Sequence, residues 1–535
     1  MTIHRLRVSM LSAAVLILGP AAAFAATVST LVPGGVIHAI EGIDVDETGT
    51  IYGTSIHGQA VYRIDPKTGH VEIAVGHPDG ESDDVSVGRR GTPVAGILAW
   101  TAQSSGEIRI LRPGGKPETV LRNVPRVNPI AFGPNNRLYT AQAGAGDDSL
   151  WEIDVLGNQP PRVILKQRLN GFGFGPDGRL YGPWFGTDKL VAIDVAAASV
   201  TTVISGVGAP AAVKVSPRGE VFSVDYLKGD LWQSDPKTGT SKIVASVREP
   251  LDNLAIAADG TVYVSNVADS SVIAIDPKTG AARDIVRNYF TIALGATMAR
   301  LDGREMVLVA DTFGYRYVDP ASGKVTRPPW AGNRGASSAV AASDRYIAFS
   351  YSISGRVKKI DRQTDQVVFD SNAIKTPRGV ALNAAGDVIV ADADGGRLMR
   401  VDASGAVPIA TGLKRPVGLI LEDETHALVT EFDGGTVSRV DLTSGARTEL
   451  ASGLKTPNAV ARTKDGRLIV TDPSAGQVIA IGPKSGARKT LANGLPLSFE
   501  GLELAHDTNI GVAVGSDGAI YVTCPGDNRV VKIIE

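Results

Sequence analysis

The chain repeats itself. A unit of about 40 residues recurs from residue 41 to the C-terminus, and each copy contains four short apolar runs separated by turns. A turn with glycine follows the first run, and the third run commonly ends in Asp-Pro or Asp-Val. Such a period with four short strands predicts the blades of a β-propeller. Clear copies are EGIDVDETGTIYGTSIHGQAVYRIDPKTG (41–69), NGFGFGPDGRLYGPWFGTDKLVAIDV (170–195), DNLAIAADGTVYVSNVADSSVIAIDPKTG (252–280) and NAVARTKDGRLIVTDPSAGQVIAIGPKSG (458–486).

Twelve units can be counted along the 535 residues. Propellers usually contain four to eight blades, so two six-bladed propellers are favoured over one large ring. The predicted fold is therefore all-β, with one propeller in residues 26–290 and a second in 291–535. The first strands begin near residues 41, 83, 128, 170, 211, 252, 294, 338, 378, 417, 458 and 510.

The two ends of the chain complement each other. The segment ATVSTLVPGG (26–35) resembles the outermost strands of other units, such as ARTELASG (446–453). The last unit stops after its third strand, RVVKIIE (529–535). We therefore expect the first strand to complete the last blade, which leaves no unpaired sheet edge there.

The first 25 residues have the pattern of a secretory signal: basic residues, the apolar run MLSAAVLILG, and a small-x-small site before Ala26. A periplasmic or secreted protein is expected, and no later stretch approaches the length of a membrane span. The formal net charge is −2 and no run of Lys and Arg occurs, which argues against a nucleic-acid partner. The single cysteine, Cys524, excludes an intrachain disulfide.

In a propeller the start of each innermost strand faces the central channel. In the first six units this position holds mostly acids and amides: Glu41, Asp83 or Asp84, Asn128, Asn170, Ala211 and Asp252. In the second six it holds Gly295, Ser338, Arg378, Val417, Asn458 and Ile510. Converging carboxylate and amide oxygens suit a hard divalent cation, with Ca²⁺ first and Mg²⁺, Mn²⁺ or Zn²⁺ as alternatives. The other interpretation is that Asp and Asn are simply common beside turns.

The first half resembles the gluconolactonase/SMP-30 superfamily of six-bladed propellers. The resemblance rests on HAIEGIDVDETGTIYG (38–53), ESDDVSVG (81–88), LNGFGFGPDGRLYGP (169–183) and PLDNLAIAADGTVYVSN (250–266). It implies one divalent metal in the channel, bound by Glu41, Asn170 and either Asp252 or Asn253. Two departures affect this expectation. Ala211 stands where the family normally has an Asp ligand, and the pair Asp83–Asp84 has no simple counterpart in its lactonases.

Lactonase chemistry also requires a proton acceptor and a pocket. The loop 53–60 should open on the same face as the strand starts, which makes His57 a candidate base, with Asp84 as the alternative. The loop 182–189 would bring Trp184 and Phe185 to the pocket wall, and Asn128 would line it.

The leading functional hypothesis is metal-dependent hydrolysis of a lactone or related ester in the first propeller, with a small-molecule substrate. A second hypothesis is a lyase with a histidine base, because the second half loosely resembles the virginiamycin B lyase-like propellers. A third is a non-catalytic module that binds a ligand or, through the second propeller, a protein partner. The fold does not choose among them.

Overall fold

The structure, a computed structural model, describes residues 26–144, 146–328, 337–498 and 509–535. In these ranges the chain forms twelve four-stranded antiparallel sheets and one short 3-10 helix, Pro473–Ala475. The predicted all-β propeller of twelve repeats is confirmed. Within the same ranges no helix is long and apolar enough to cross a membrane. The predicted signal segment, residues 1–25, lies outside the described residues.

Blades one to six follow each other along the chain, and each is built from innermost to outermost strand. Their strands are Ile43–Val45, Ile51–Ser55, Ala60–Ile64 and Val71–Val75 in blade one; Val85–Val87, Leu98–Ala102, Glu107–Leu111 and Pro117–Leu121 in blade two; Val127–Phe132, Leu138–Gln142, Ser149–Ile153 and Arg162–Lys166 in blade three; Gly173–Phe174, Leu180–Pro183, Lys189–Asp194 and Ser199–Ser205 in blade four; Pro210–Val215, Val221–Asp225, Asp230–Asp235 and Thr240–Ser246 in blade five; Leu251–Ile256, Val262–Asn266, Ser271–Ile275 and Ala282–Arg287 in blade six.

Blades seven to twelve continue in the same order, except that the last one takes its outermost strand from the N-terminus. Their strands are Ala296–Leu301, Arg304–Asp311, Gly314–Val318 and Val325–Thr326 in blade seven; Ala339–Ala342, Tyr346–Tyr351, Arg356–Asp361 and Val367–Ser371 in blade eight; Pro377–Leu382, Val388–Asp392, Arg397–Asp402 and Gly405–Thr411 in blade nine; Pro416–Leu421, His426–Glu431, Thr436–Asp441 and Arg447–Ala451 in blade ten; Val460–Arg462, Leu468–Asp472, Gln477–Ile481 and Arg488–Ala492 in blade eleven; Val512–Val514, Ile520–Cys524, Arg529–Ile534 and Thr27–Val32 in blade twelve.

The blades close into two rings of six. The innermost strand of blade one contacts those of blades two and six, and the innermost strand of blade seven contacts those of blades eight and twelve. Hydroxyl groups on second strands secure both closures by donating to the neighbouring blade. Ser265 Oγ donates to the carbonyl oxygen of Glu41 (2.5 Å), and Thr523 Oγ1 to that of Leu294 (2.8 Å). Two six-bladed propellers are therefore observed.

The N-terminal strand completes the last blade, as predicted. It pairs antiparallel with Arg529–Ile534, with Thr27 opposite Ile534 and Val28 opposite Ile533. Its last residue, Val32, is fully buried in a core cluster of the second ring. The strand thus belongs to the second ring, although the predicted range 26–290 of the first propeller includes it. The chain therefore crosses between the rings twice.

Both crossings meet at one buried asparagine. Asn528 Nδ2 donates to the carbonyl oxygens of Ile37 (2.9 Å) and Thr291 (3.0 Å), one in each crossing segment. Close by, His38 Nε2 lies 2.7 Å from the carbonyl oxygen of Pro525. Burial lowers the pKa of His38 to about 4, so this imidazole is neutral at physiological pH. The junction is a hydrogen-bonded structural element that joins the two rings.

Candidate functional site

The polar strand starts of the first ring lie around its channel. Glu41 and Asp83 are buried, whereas Asn128, Asn170 and Asp252 are half-buried. We call the three acids Glu41, Asp83 and Asp252 the upper tier. The turns between second and third strands lie on the same face, because His57 in such a turn contacts Glu41.

Glu41 is held by the turn that follows the second strand of blade one. Its Oε2 accepts the backbone N–H of Ile56 at 3.1 Å, and its Oε1 lies 3.4 Å from Nδ1 of His57. Burial raises the pKa of Glu41, and His57 opposes that rise. The carboxylate and the imidazole form a pair at the mouth of the channel. The role of His57 as a base stays a prediction.

Asp83 and Asp84 have different surroundings although they are adjacent in sequence. Asp83 accepts hydrogen bonds from Gln103 and from Asn128 Nδ2, the latter at 2.8 Å. Burial raises the pKa of Asp83 well above its ordinary value, and the charges of Asp252 and Glu41 raise it further. The neighbouring charges that act most strongly on Asp83 are all carboxylates.

Asp84 ties three blades together across the channel. It accepts the N–H groups of Val85 (2.9 Å) and Ile130 (3.0 Å) and the amide of Asn253 (3.0 Å). Burial raises its pKa to about 6, while Lys214 and the two backbone donors oppose the rise. Both oxygens are engaged, which suits a structural acceptor better than a catalytic base.

Asp252 has the least support of the four acids. No described residue donates a hydrogen bond to its carboxylate, and it remains half-buried at the channel. Burial raises its pKa to about 7, with additional contributions from the charges of Glu41 and Asp84. Burial raises the pKa of Tyr226, and the charges of Asp252 and Glu41 raise it further. Asp252 therefore titrates near neutral pH in the cation-free protein.

A lysine neutralises the deeper part of the channel. Lys214 lies three residues beyond Ala211, the channel position of blade five, just as Asp44 lies three residues beyond Glu41 in blade one. We call Lys214 and Asp44 the lower tier. Lys214 Nζ donates to the carbonyl oxygen of Phe172 at 2.7 Å. Its charge lowers the pKa values of Asp44 and Asp84, against the dominant effect of burial. No cation is among the charges that act most strongly on the pKa values of Asp83 and Asp252.

Not every predicted ligand is free to bind an ion. Asn253 is buried, its Nδ2 donates to Asp84, and its Oδ1 accepts the N–H of Leu254 at 2.9 Å. Asn170 is half-buried, and its side chain makes no hydrogen bond to a described residue. Across the described ranges, no group of three His, Cys, Asp or Glu side chains is arranged to hold a metal. The available oxygen donors are therefore a mixture of carboxylates and amides.

The two predicted aromatic residues lie on the turn of blade four. Trp184 is 40% exposed, and Lys189 Nζ is 5.9 Å from the centre of its ring. Phe185 packs beneath the guanidinium of Arg168 at 4.9 Å. No described contact joins either ring to the upper tier. Their place in a substrate pocket stays a prediction.

Sequence reasoning did not single out three residues of this region. Lys214 had a detectable signal, since a lysine within the innermost strand PAAVKV departs from its apolar surroundings. Gln103, which donates to Asp83, gave no signal in its turn. Phe313 comes from the second ring, and its ring centre lies 6.0 Å from that of His57.

No protein-family model matches the chain, and no curated protein matches it. The chain is similar to three solved structures at low identity. A streptogramin B lyase shares 14% identity over 61% of this chain and 93% of its own, with a TM-score of 0.28. A virginiamycin B lyase from Staphylococcus aureus shares 14% identity over 61% and 94%, with a TM-score of 0.28. The extracellular domain of a protein described as a hybrid two-component system of B. thetaiotaomicron shares 12% over 96% and 83%, with a TM-score of 0.32.

At these values the three similarities say nothing about the chemistry of this chain. The resemblance to the gluconolactonase/SMP-30 superfamily also stays a prediction.

Proposed function

We propose that the first propeller binds a divalent cation, Ca²⁺ before Mg²⁺, Mn²⁺ or Zn²⁺, in the upper tier and hydrolyses a lactone or related ester there. The observation that supports this is the crowding of Asp83 and Asp252 with other carboxylates, without a compensating cation on either. Buried like charges must either bind protons or bind a cation. Asp252 is half-buried and accepts no described hydrogen bond, so it can still do either.

The donors fit a hard cation. Glu41 and Asp252 would hold it, with the amide oxygen of Asn170 as a third candidate and water completing the set. Oxygen donors of mixed charge are what Ca²⁺ accepts, often with water among them. Asn253 is left out of the proposed set because both of its amide atoms are already engaged within the protein.

The bound cation would polarise the ester carbonyl and lower the pKa of a water molecule. His57 would take the proton from the attacking water, and the carboxylate of Glu41 would stabilise the imidazolium that forms. Because Nδ1 of His57 faces Glu41, its Nε2 would be the accepting atom. Asp84 is a poorer base because both of its oxygens already accept hydrogen bonds.

The proposal is tested by elemental analysis of the purified protein, followed by assays on a panel of lactones and esters with and without chelator. Replacing His57 by Ala should lower turnover by about 100-fold while the affinity for Ca²⁺ is retained. His70→Ala is the matched control, since His70 is 67% exposed and its Nε2 lies 3.5 Å from Oε1 of Glu72. A protein without bound metal and without turnover would instead favour the non-catalytic ligand-binding function.

We also propose export to the periplasm or the medium, on the basis of the predicted signal at residues 1–25. Mass spectrometry of the N-terminus of protein from a native host fraction tests this directly. The expected first residue is Ala26. An intact Met1 in a cytoplasmic fraction would contradict export without affecting the proposed chemistry.

A further inference from the structure

Blade seven has an unusually short turn between its second and third strands. The strands Arg304–Asp311 and Gly314–Val318 leave only Thr312 and Phe313 between them. In each of the other eleven blades the same turn is longer; in blade one, for example, Ser55 and Ala60 leave residues 56 to 59 between them. The short hairpin therefore carries Phe313 at its tip, on the side of the first ring.

A buried ion pair fixes this hairpin to the first ring. Arg316 and Asp311 are both almost completely buried and pair at 2.9 Å. Arg316 also donates to the carbonyl oxygen of Ala268 in blade six at 2.8 Å, and to that of Tyr289 at 3.4 Å. Asp311 accepts the N–H of Thr291 in the second crossing segment at 3.1 Å. These bonds leave the hairpin little freedom relative to blade six and the second crossing segment.

The tip of the hairpin rests on His57. The rings of His57 and Phe313 have centres 6.0 Å apart and an interplanar angle of 58°, a tilted aromatic contact. Nδ1 of His57 also lies 3.4 Å from Oε1 of Glu41. The imidazole thus contacts both a carboxylate of the first ring and an aromatic ring of the second, and its side chain is 21% exposed.

We propose that Phe313 is a positioning residue that holds His57 against Glu41, so that the second propeller completes the site of the first. Three features fix the ring of Phe313 against His57: the shortened hairpin, the buried Arg316–Asp311 pair and the aromatic contact. The consequence for catalysis rests on the proposed function, but the positioning itself does not.

The test measures the accessibility of His57 directly. Wild-type protein and the Phe313→Ala variant are treated with diethyl pyrocarbonate, and modification of each histidine is followed by mass spectrometry of its peptide. The rate at His57 should rise by up to about threefold in the variant, the ratio between the exposures of His70 (67%) and His57 (21%). His70 serves as the internal reference and should not change.

Two further variants keep the test decisive. Phe432→Ala removes a phenylalanine from the corresponding turn of blade ten, where it packs on Arg415, and should leave the rate at His57 unchanged. Phe313→Leu retains apolar bulk and should give a smaller increase than Phe313→Ala. If Phe313→Ala lowers the unfolding midpoint more than Phe432→Ala does, the comparison is made with Phe313→Leu.

An unchanged rate at His57 in a folded Phe313→Ala variant would overturn the proposal. Where turnover is measurable, Phe313→Ala should lower kcat and leave the affinity for Ca²⁺ within twofold of wild type. If the rate at His57 rises but the wild-type protein hydrolyses nothing, the positioning stands and the proposed hydrolysis fails.

Discussion

The two rings place different chemistry at the same strand position. In the first ring the upper tier presents three acids, of which Asp252 accepts no hydrogen bond from a described residue. In the second ring the corresponding positions of blades ten and twelve hold buried Val417 and Ile510. The amide oxygen of Asn458 in blade eleven is already engaged, because its Oδ1 accepts the N–H of Ile510 at 2.8 Å. The first channel crowds carboxyl groups together, whereas these positions of the second are apolar or already hydrogen-bonded.

The proposed function would assign the chemistry to the first ring and leave stability to the second. Burying a carboxylate without a counter-charge costs free energy, and the proposed cation would offset that cost. In the second ring Val417 and Ile510 are buried apolar side chains, and Asn458 accepts a backbone hydrogen bond. Arg378, buried at the channel position of blade nine, donates to Ser352 Oγ at 3.2 Å. The second ring also contributes the hairpin whose Phe313 contacts His57, so its contribution to the first ring is structural.

The largest effect on stability is expected from removing the N-terminal strand, which completes the last blade of the second ring. Deleting residues 26–35 should expose the edge of Arg529–Ile534 and remove buried Val32 from the second ring. The loss of one buried valine alone is worth about 1.5–3 kcal/mol, before the lost strand pairing is counted. Hydrogen–deuterium exchange should therefore increase in blades seven and twelve far more than in blades three and four. An equal increase in exchange across both rings would show that the second ring depends on this strand no more than the first ring does.

A second test removes the acids that distinguish the first channel. Glu41→Gln or Asp252→Asn should each weaken Ca²⁺ binding by about 100-fold, equivalent to about 2.8 kcal/mol, because each removes a charged ligand. Asn458→Ala is the matched change in the second channel and should leave the affinity unchanged. Calorimetric titration with Ca²⁺ measures all three. Equal losses from both channels would mean that the binding site is not confined to the first ring.

The pH dependence of stability should also reflect the crowded acids of the first channel. Folded Asp252 and Asp84, with pKa values of about 7 and about 6, hold protons that the unfolded chain, with an ordinary Asp pKa of about 3.9, has already released. These two acids should therefore lower the unfolding free energy of the cation-free protein as the pH rises from about 4 to about 7, whereas His38, with a folded pKa of about 4, raises it up to about pH 6.5. Thermal unfolding in chelator between pH 4.5 and 8 measures the net dependence, and Asp252→Asn should remove the contribution of Asp252. The same pH dependence in the wild type and in Asp252→Asn would contradict the crowding of the upper tier.

Much of this fold could be predicted because the determinants are local and repeated. The turn glycines adopt the positive φ that their hairpins need, for example 87° at Gly49 and 92° at Gly260. The pairing of the first strand with the last blade followed from a missing fourth strand. Both features can be read from short segments without knowledge of how the blades pack.

The site was predictable only in part, because its chemistry depends on contacts between blades. The strand starts identified Glu41 and Asp252, but only packing shows that Asn253 is already engaged with Asp84. Lys214 acts on acids from other blades, and Phe313 reaches His57 from the other ring. No sequence period links residues that far apart in the chain.

The smallest expected effect tests the division between the tiers of the first channel. Lys214→Met removes the cation of the lower tier, whose charge acts on Asp44 and Asp84. A divalent cation in the upper tier would then feel less repulsion, so its affinity should rise by roughly 15-fold, as expected for about 1.7 kcal/mol between a double and a single positive charge about 10 Å apart at an effective dielectric constant of about 40. The control is Lys359→Met in the second ring, where Lys359 Nζ lies over Tyr346 at 3.9 Å and should not influence the binding. A loss of Ca²⁺ affinity in a folded Lys214→Met variant would mean that Lys214 helps to arrange the acids of the upper tier. The two tiers would then not act separately.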